Sequence, residues 1–269
     1  MTYDLRDDIF ASLGERRFTA EISVTTAGVV CGVEDAAEKA AGLGCEVLHA
    51  LADADEAVPE EPVLVIRAKA KEIAIAEDTL LGAIAKPSAI ARAARQAQEI
   101  AGDRVRIVSG AAKKMPIEIK PQVRRAIHRG GGSGRITPPP FVYLDKNYVR
   151  MFGGVRRTLE AVSVLEGHTR CIQLRGLVEP LEDEARAAIE MGAEILMVDT
   201  GDLDDLDRVA AMVRAAGRRE VTEIAFSGDI ALADIPAIAA HDVDILDIGR
   251  AVIDAPSVDV KLDVVDAPT

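Results

Sequence analysis

A strongly basic segment containing a glycine run is the part of this chain best suited to bind a multiply charged anion. Residues 104–157 contain thirteen Lys or Arg and two acidic residues, so the segment carries about +11 although the whole chain has a net charge of −13. Within it, four of the five residues 130–134 are glycine. Arg side chains and unobstructed backbone N–H groups both pair with oxyanions. The sequence therefore predicts a pocket for a small anionic ligand.

A nucleic-acid groove is the competing interpretation of this basic segment. The rest of the chain carries about −24, which would repel a polyanion at long range. Aromatic residues, which stack on the bases of single strands, make up 3% of the chain. The small-anion pocket is therefore favoured, and we expect no nucleic-acid partner. The acidic surface also argues against adsorption to a membrane.

Three predicted strands end in residues that suit a phosphorylated ligand. Asp199 ends one strand, Ser227 and Gly228 follow the next, and Gly249 follows the last. A glycine just before a helix leaves backbone N–H groups open to an anion, and phosphate commonly binds such loops in α/β barrels. The alternative, that Gly228 and Gly249 are ordinary turn residues, stays open on spacing alone.

Cations for the same ligand come from earlier strand ends. Lys113 and Lys114 follow the strand that ends at Val108, and Lys146 follows the next strand along the chain. Converging cations suit a carboxylate or a pyrophosphate; a solvated basic face or a dimer contact is the alternative. His128 is a candidate proton carrier by residue type, with a structural role as its alternative.

From residue 104 onward, the sequence alternates between short apolar runs and amphipathic segments. The predicted strands are Val105–Val108, Phe141–Leu144, Thr169–Leu174, Glu194–Val198, Glu223–Phe226 and Ile245–Ile248. The predicted helices are Pro121–Ile127, Val155–Leu165, Glu182–Met191, Leu203–Ala216 and Leu232–Ala239. This alternation predicts an α/β fold with parallel strands, as a barrel or a doubly wound sheet.

The residues before 104 follow a different pattern, which predicts a separate domain. Its predicted strands are Phe18–Val24, Gly28–Gly32, Cys45–Ala50 and Val63–Ala70, and its first helices are Asp7–Leu13 and Val33–Leu43. A long amphipathic stretch follows from Ala74 to Ile100, and Pro87 predicts a break or a kink in it. We therefore expect domains at 1–103 and 104–269.

Composition predicts a globular cytoplasmic protein. The chain has 269 residues, of which 49% are hydrophobic. It has no run of eighteen apolar residues, and its first residues lack the apolar region of a signal peptide. Cys31, Cys45 and Cys171 form no metal-ligand pattern, so we expect them to be buried free thiols in a reducing compartment.

Several segments of the chain resemble the quinolinate phosphoribosyltransferase family, the decarboxylating nicotinate-nucleotide pyrophosphorylases. The matching segments are 27–36, 77–81, 126–132, 142–155, 192–199, 227–228 and 243–263. The last segment, with its strand-terminal glycine followed by Ala-Pro-x-x-Asp and Leu-Asp, is the most specific. The resemblance implies an N-terminal α/β sandwich domain joined to an irregular, open α/β barrel.

The resemblance also implies an activity. Members of the family transfer ribose 5-phosphate from phosphoribosyl pyrophosphate to a pyridine nitrogen, use Mg²⁺, and form dimers or larger even-numbered homo-oligomers. We therefore expect a glycosyltransferase of NAD biosynthesis that acts on a pyridine-carboxylate-like acceptor. Matched by position, Ser227, Gly228 and Gly249 would hold the 5-phosphate, while Lys113, Lys146 and Asp199 would act in catalysis. The residues expected to contact acceptor or pyrophosphate are Lys114, His128, Arg129, Arg135 and Arg175. The resemblance does not indicate which residues hold the metal.

Some positions depart from the family pattern, mostly on the acceptor side. Asp78, Ala112 and Ile136 stand where the family has arginine, Gln173 where it has glutamate, and Asp145-Lys146 reverses a Lys-Asp pair. A pocket without the arginine partners of the two quinolinate carboxylates would bury poorly compensated charge. These departures disfavour quinolinate as the acceptor. They also leave open a non-catalytic or repurposed protein that binds a phosphorylated metabolite.

Overall fold

A computed structural model of the protein describes residues 3–266. Its strands are β1 (Arg17–Val24), β2 (Gly28–Val29), β3 (Glu46–Ala50), β4 (Glu56–Ala57), β5 (Pro62–Lys69), β6 (Arg106–Val108), β7 (Phe141–Leu144), β8 (Thr169–Leu174), β9 (Ile195–Val198), β10 (Glu223–Ser227), β11 (Ile245–Asp247) and β12 (Val260–Val264). Its α-helices are α1 (Leu5–Ile9), α2 (Val33–Gly42), α3 (Ala70–Ala101), α4 (Lys120–Arg129), α5 (Lys146–Phe152), α6 (Val155–Ala161), α7 (Leu181–Glu190), α8 (Leu203–Ala215), α9 (Ile235–Ala239) and α10 (Arg250–Ile253). Short 3-10 helices cover Ala11–Leu13, Gly110–Lys114 and Leu232–Asp234.

The chain divides into two compact units. The first comprises Met1–Ala93, Pro121–Gly130 and Asp254–Thr269, and the second comprises Ala94–Lys120 and Gly131–Ile253. The domain division at residue 103 stays a prediction, because compactness alone does not define a folding domain.

An antiparallel sheet in the order β12-β1-β5-β3 forms the centre of the first unit. Ala20, Ile22 and Val24 of β1 are buried at every second position, as expected of a strand with one covered face. They belong to the same core cluster as Leu80 and Ile84 of α3. The edge strand β12 brings residues from near the end of the chain into a sheet built from its beginning.

The predicted strands of the second unit are confirmed to within one residue at each end. Three other predicted elements need correction. The strand expected at 28–32 ends at Val29, the helix expected at 155–165 ends at Ala161, and the first predicted helix is split by Phe10. The sequence pattern also missed β12 and α5. Helix α5 begins after Asp145, whose side chain accepts a hydrogen bond from the Asn147 N–H and caps the helix.

Helix α3 continues through Pro87, so the predicted break is wrong. Proline has no N–H, so the Ala83 carbonyl, four residues earlier, lacks its usual helical donor. The side-chain amide of Gln122 donates to this carbonyl at 3.5 Å. Gly32, with a φ of +87°, lies against the same oxygen, and a Cβ there would stand 2.0 Å from it. The helix tolerates Pro87 because Gly32 packs against the Ala83 carbonyl and Gln122 donates a hydrogen bond to it.

The sheet of the second unit is entirely parallel, in the order β6-β11-β10-β9-β8-β7. Its first strand in the chain, β6, pairs with its last, β11, so the strands follow the cyclic order of a barrel with one gap. This curled half-barrel confirms the predicted open α/β barrel. Ser133, within the glycine run, forms a parallel bridge with Val108 beside the free edge of β6.

Alternate side chains of this sheet form a buried cluster on one face. The cluster includes Val108, Cys171, Ile195, Met197, Ala225 and Ile245. Side chains two residues apart on a strand face the same way. Gln173, Asp199, Ser227 and Asp247 therefore continue this face toward the carboxyl-terminal edge of the sheet.

The cysteines are all buried and free, as predicted. No helix within residues 3–266 is long and apolar enough to cross a lipid bilayer.

Removing the Gln122 amide should destabilise the protein only while Pro87 is present. Gln122→Ala leaves the partly buried Ala83 carbonyl without a side-chain donor, for an expected loss of about 1 kcal/mol. Pro87→Ala restores the helical N–H, so the double variant should recover most of that loss. Urea unfolding of the wild type and the three variants measures this coupling. An equal cost of Gln122→Ala in both backgrounds would contradict the assignment.

Candidate functional site

Polar side chains collect at the carboxyl-terminal edge of the parallel sheet. Asp145 follows β7, Gln173 lies near the end of β8, and Asp199 directly follows β9. Ser227 ends β10 and pairs in register with Asp247, which ends β11. Because the strands are parallel and adjacent, these residues follow one another around a single edge. This is the position at which α/β barrels carry their active sites.

Asp199 is held by its neighbours on β8. The Gln173 amide nitrogen donates to Asp199 Oδ2 at 2.5 Å, and Arg175 approaches the same oxygen to 3.4 Å. The other end of the Gln173 amide accepts from the Lys146 backbone N–H at 2.6 Å. This chain of hydrogen bonds fixes the amide orientation, so that Gln173 positions Asp199 toward the inner face.

Asp247 is held by the backbone of the segment that follows β6. Its Oδ1 accepts a hydrogen bond from the Gly110 N–H at 2.8 Å. Burial raises the pKa of Asp247, and the nearby Asp199 charge raises it further against the opposing effects of Gly110 and Lys114. Burial also raises the pKa of Tyr143 on the inner face, so its hydroxyl stays protonated. The site therefore combines crowded carboxylates with a neutral hydroxyl.

Lys113 is committed to an ion pair with Asp145. Its ammonium lies 2.7 Å from Asp145 Oδ2; the Lys113 side chain is 74% exposed and that of Asp145 15%. Burial would raise the pKa of Asp145, but Lys113 and the Asn147 N–H together hold it below its ordinary value. Lys113 thus faces solvent at the mouth of the site, with one carboxylate already bound.

The loops after β9 and β10 approach each other as closely as backbone allows. A Cβ on Gly228 would lie 2.3 Å from the Cα of Gly201, and Gly228 has a φ of +141°. The Gly201 N–H donates to the Ser227 carbonyl at 3.1 Å. Gly249, after β11, is different, because a Cβ there would meet no atom within 4 Å. Gly228 is required by packing, whereas Gly249 leaves an open space.

The same loops present backbone donors. Within residues 3–266, the backbone hydrogen bonds of turns and loops include none from the N–H groups of Gly228, Asp229 or Gly249. Successive unpaired N–H groups in a turn make a concave binding surface for anions. Ser227 adds a half-buried hydroxyl beside them. Together these groups can hold a phosphate.

An ion pair joins the two glycine loops. Arg250 Nε donates to Asp229 Oδ1 at 2.9 Å, and Arg250 Nη2 donates to Asp229 Oδ2. Asp229 follows Gly228, and Arg250 follows Gly249. The Arg250 hydrogen bond, with a smaller contribution from Lys114, holds the pKa of Asp229 below its ordinary value. Lys114 is therefore an exposed cation at the same mouth.

The remaining predicted site residues lie in several places. Lys146 is half-buried at the first position of α5. The Arg135 guanidinium lies 6.0 Å from the ring of Phe141, which begins β7, so Arg135 stands near the amino-terminal edge of the sheet. His128 and Arg129 are exposed on α4 in the first unit, where Arg129 lies 3.7 Å from Glu34.

Much of the basic segment is used in ion pairs away from this edge. Arg106 pairs with Glu223 at 2.6 Å near the amino-terminal ends of β6 and β10. Arg125 pairs with Asp35 within the first unit. At the amino-terminal edge, a cavity of about 470 Å³ is lined by charged residues that include Arg219 and Asp244, themselves 2.8 Å apart. Because these charges pair with one another and lie at the amino-terminal edge, this cavity is not a candidate for the active site.

The sequence prediction missed three residues of the carboxyl-terminal edge: Asp229, Asp247 and Arg250. Asp247 was recognisable as a charged residue at the end of an otherwise apolar strand. The pairing of Asp229 with Arg250 had no sequence signal beyond their positions after glycines. Within residues 3–266, no group of three or more His, Cys, Asp or Glu side chains is arranged to hold a metal ion.

Comparison with known proteins identifies related sequences across nearly the whole chain. The family model for the N-terminal domain of quinolinate phosphoribosyl transferase matches residues 7–88, and the model for its C-terminal domain matches residues 90–263. A probable nicotinate-nucleotide pyrophosphorylase (carboxylating) of Methanothermobacter thermautotrophicus is 25% identical over 252 residues, 92% of this chain and 88% of that relative. The human nicotinate-nucleotide pyrophosphorylase (carboxylating) is 26% identical over 222 residues, 82% of this chain and 73% of that relative.

Solved structures share the fold. The nicotinate-nucleotide pyrophosphorylase of Francisella tularensis matches with a TM-score of 0.80 at 22% identity, covering 96% of this chain and 90% of its own. That of Pyrococcus furiosus matches with a TM-score of 0.82 at 23% identity, covering 97% and 72%.

Alanine substitutions at the two loop glycines should have different effects. Gly228→Ala forces a Cβ into the Gly201 backbone at a disfavoured φ, so we expect a loss of about 2–3 kcal/mol in stability. Gly249→Ala should change stability by less than about 0.5 kcal/mol, yet weaken phosphate binding because the methyl group enters the open space. Thermal unfolding and calorimetry with inorganic phosphate measure the two effects. Equal destabilisation by both substitutions would contradict this geometry.

Replacing the Asp247 carboxylate with an amide should stabilise the protein at high pH. A raised pKa in the folded state means that the folded protein binds the Asp247 proton more tightly than the unfolded chain, so stability falls as pH rises through that pKa. Asp247→Asn keeps an acceptor for the Gly110 N–H and removes the charge. The variant should melt above the wild type at about pH 8, with the difference shrinking toward about pH 4. A variant that melts lower at pH 8 would refute the assignment.

Proposed function

Because this chain belongs to the quinolinate phosphoribosyltransferase family, we propose that it transfers ribose 5-phosphate from phosphoribosyl pyrophosphate to quinolinate. In that reaction the bond from ribose C1′ to the pyrophosphate oxygen breaks, and C1′ bonds to the pyridine nitrogen. Pyrophosphate leaves with the electron pair. The ring carboxylate next to the nitrogen leaves as CO2, and a proton takes its place.

The observation that carries this proposal is the pair of glycine loops at the carboxyl-terminal edge of the sheet, with open space beside Gly249. Gly228 follows Ser227 at the end of β10, Gly249 follows the paired strand β11, and Asp199 stands at the end of the adjacent strand β9. A 5-phosphate held there would place the ribose over the inner face, within reach of Asp199. Positioning and electrostatic stabilisation of a cationic C1′ then supply most of the acceleration.

Cations at the mouth suit the departing pyrophosphate. Lys113 and Lys114 follow β6 and are both exposed, while Arg175 follows β8 and contacts Asp199. Charge develops on the pyrophosphate oxygens as the bond to C1′ breaks, and nearby cations stabilise it. We assign Lys113, Lys114 and Arg175 to this role, with Lys146 beside them at the start of α5.

We propose Mg²⁺ as the cofactor, bound together with the donor. Mg²⁺ prefers oxygen ligands, keeps several waters, and uses one or two carboxylates together with substrate phosphates. Asp199 and Asp247, at the ends of β9 and β11, offer that chemistry. When bound, the ion neutralises pyrophosphate charge.

Quinolinate is the favoured acceptor despite the departures noted in the sequence. The negative charge of Asp78 is offset, because its carboxylate pairs with Arg6 at 2.6 Å in the first unit. The descriptions of both matching family models name quinolinate and so support the same acceptor. On family membership alone, we also propose an even-numbered homo-oligomer, which light scattering would detect.

Purified protein should release pyrophosphate when phosphoribosyl pyrophosphate, Mg²⁺ and quinolinate are all present. Mass spectrometry should detect nicotinate mononucleotide in equal amount. Asp199→Asn removes the carboxylate nearest the ribose, so we expect turnover to fall on the order of 10²-fold. Asp183→Asn, on the exposed surface of α7, is the matched control and should retain activity.

The acceptor panel separates this proposal from its alternatives. Nicotinate and other pyridine carboxylates are assayed beside quinolinate under the same conditions. Turnover with another acceptor alone would exclude quinolinate but retain phosphoribosyl transfer. Donor binding without turnover on any acceptor would favour a binding protein.

A further inference from the structure

A bidentate ion pair stands at the mouth of the phosphate site. It is formed by Asp229 and Arg250, each the residue immediately after a loop glycine, Gly228 or Gly249. Two N–H groups of the Arg250 guanidinium donate to the two carboxylate oxygens of Asp229. The pair therefore spans the two loops whose backbone donors face the proposed phosphate.

The fold does not depend on this pair for its stability. The side chains of Arg250 and Asp229 are 67% and 68% exposed, and ion pairs this exposed contribute little to folding. The strands that carry the two loops are already joined through backbone, because β10 and β11 pair in register up to Ser227 and Asp247. A role in ligand binding therefore accounts for the Asp229–Arg250 pair better than a role in stability.

A carboxylate and a phosphate present the same paired oxygens to an arginine fork, and the phosphate carries more charge. We propose that Arg250 is a phosphate-binding residue and that Asp229 is its internal counterion, displaced when the 5-phosphate of the donor binds. Lys114, which also acts on Asp229, compensates the released carboxylate. This inference rests on the phosphate site of the proposed function and adds a residue that recognises it.

The two partners should then have opposite effects on binding. Removing Arg250 deletes a contact to the phosphate, so affinity falls. Removing the charge of Asp229 deletes the competitor for Arg250 and a like charge beside the ligand, so affinity rises. A pair that only fastened the loops would instead weaken binding when either partner was replaced.

Calorimetry with ribose 5-phosphate and with inorganic phosphate tests this without turnover or acceptor. Arg250→Ala should weaken binding of both probes on the order of 10-fold, and Asp229→Asn should strengthen it by about 3-fold. Arg250→Lys keeps the charge but not the fork and should fall between Arg250→Ala and wild type. Thermal unfolding checks each variant, and Arg250→Gln replaces Arg250→Ala if the latter fails to fold.

The matched control is the exposed pair Asp183–Arg186 on α7. Arg186→Ala and Asp183→Asn should leave the affinity of both probes unchanged. If the wild type binds neither probe, the phosphate site fails and this inference fails with it. If the wild type binds and Asp229→Asn weakens binding as Arg250→Ala does, only the role of the pair is overturned.

Discussion

Parallel pairing brings the carboxyl ends of all strands in the second unit to one edge, and every residue assigned to the donor depends on that constraint. The side-chain alternation of a strand then decides which residues face inward. Asp199, Ser227 and Asp247 reach the same face because their strands are adjacent and in register. A shift of one residue in any of these strands would turn its polar end residue away from the site.

The acidity of the chain is compatible with an anionic ligand because charges at this edge are compensated locally. Asp145 pairs with Lys113, and Asp199 with Arg175. Asp247 has a backbone donor from Gly110 in place of a cation. Each carboxylate thus enters the site with its charge partly offset. An incoming phosphate meets paired groups and backbone donors, while the bulk of the negative charge lies elsewhere and is screened by salt.

The strands of the second unit were predictable because each is a short apolar run between polar loops. Because these strands were predicted to be parallel, Asp199, Ser227 and Gly249 could also be predicted to lie at one edge of the sheet. Pairwise partners were not predictable, since they depend on distances that only the folded chain sets. The charge of the basic segment illustrates this limit, because Arg106 and other cations serve ion pairs away from the site. The local rules for proline predicted a helix break at Pro87, but the helix continues. The side chain of Gln122, distant in sequence, donates to the Ala83 carbonyl that Pro87 leaves without its helical donor.

The donor and the acceptor of the proposed reaction are recognised by different kinds of group. The phosphate loops use backbone N–H donors and glycines, and these constrain conformation at few positions, so the surrounding side chains can change without loss of the cradle. Recognition of acceptor carboxylates relies on side-chain cations, whose loss at one position must be offset by another. The departures at Asp78, Ala112 and Ile136 fall in that second category. The pairing of Asp78 with Arg6 shows that the charge at such a position is meaningful only together with its folded partner.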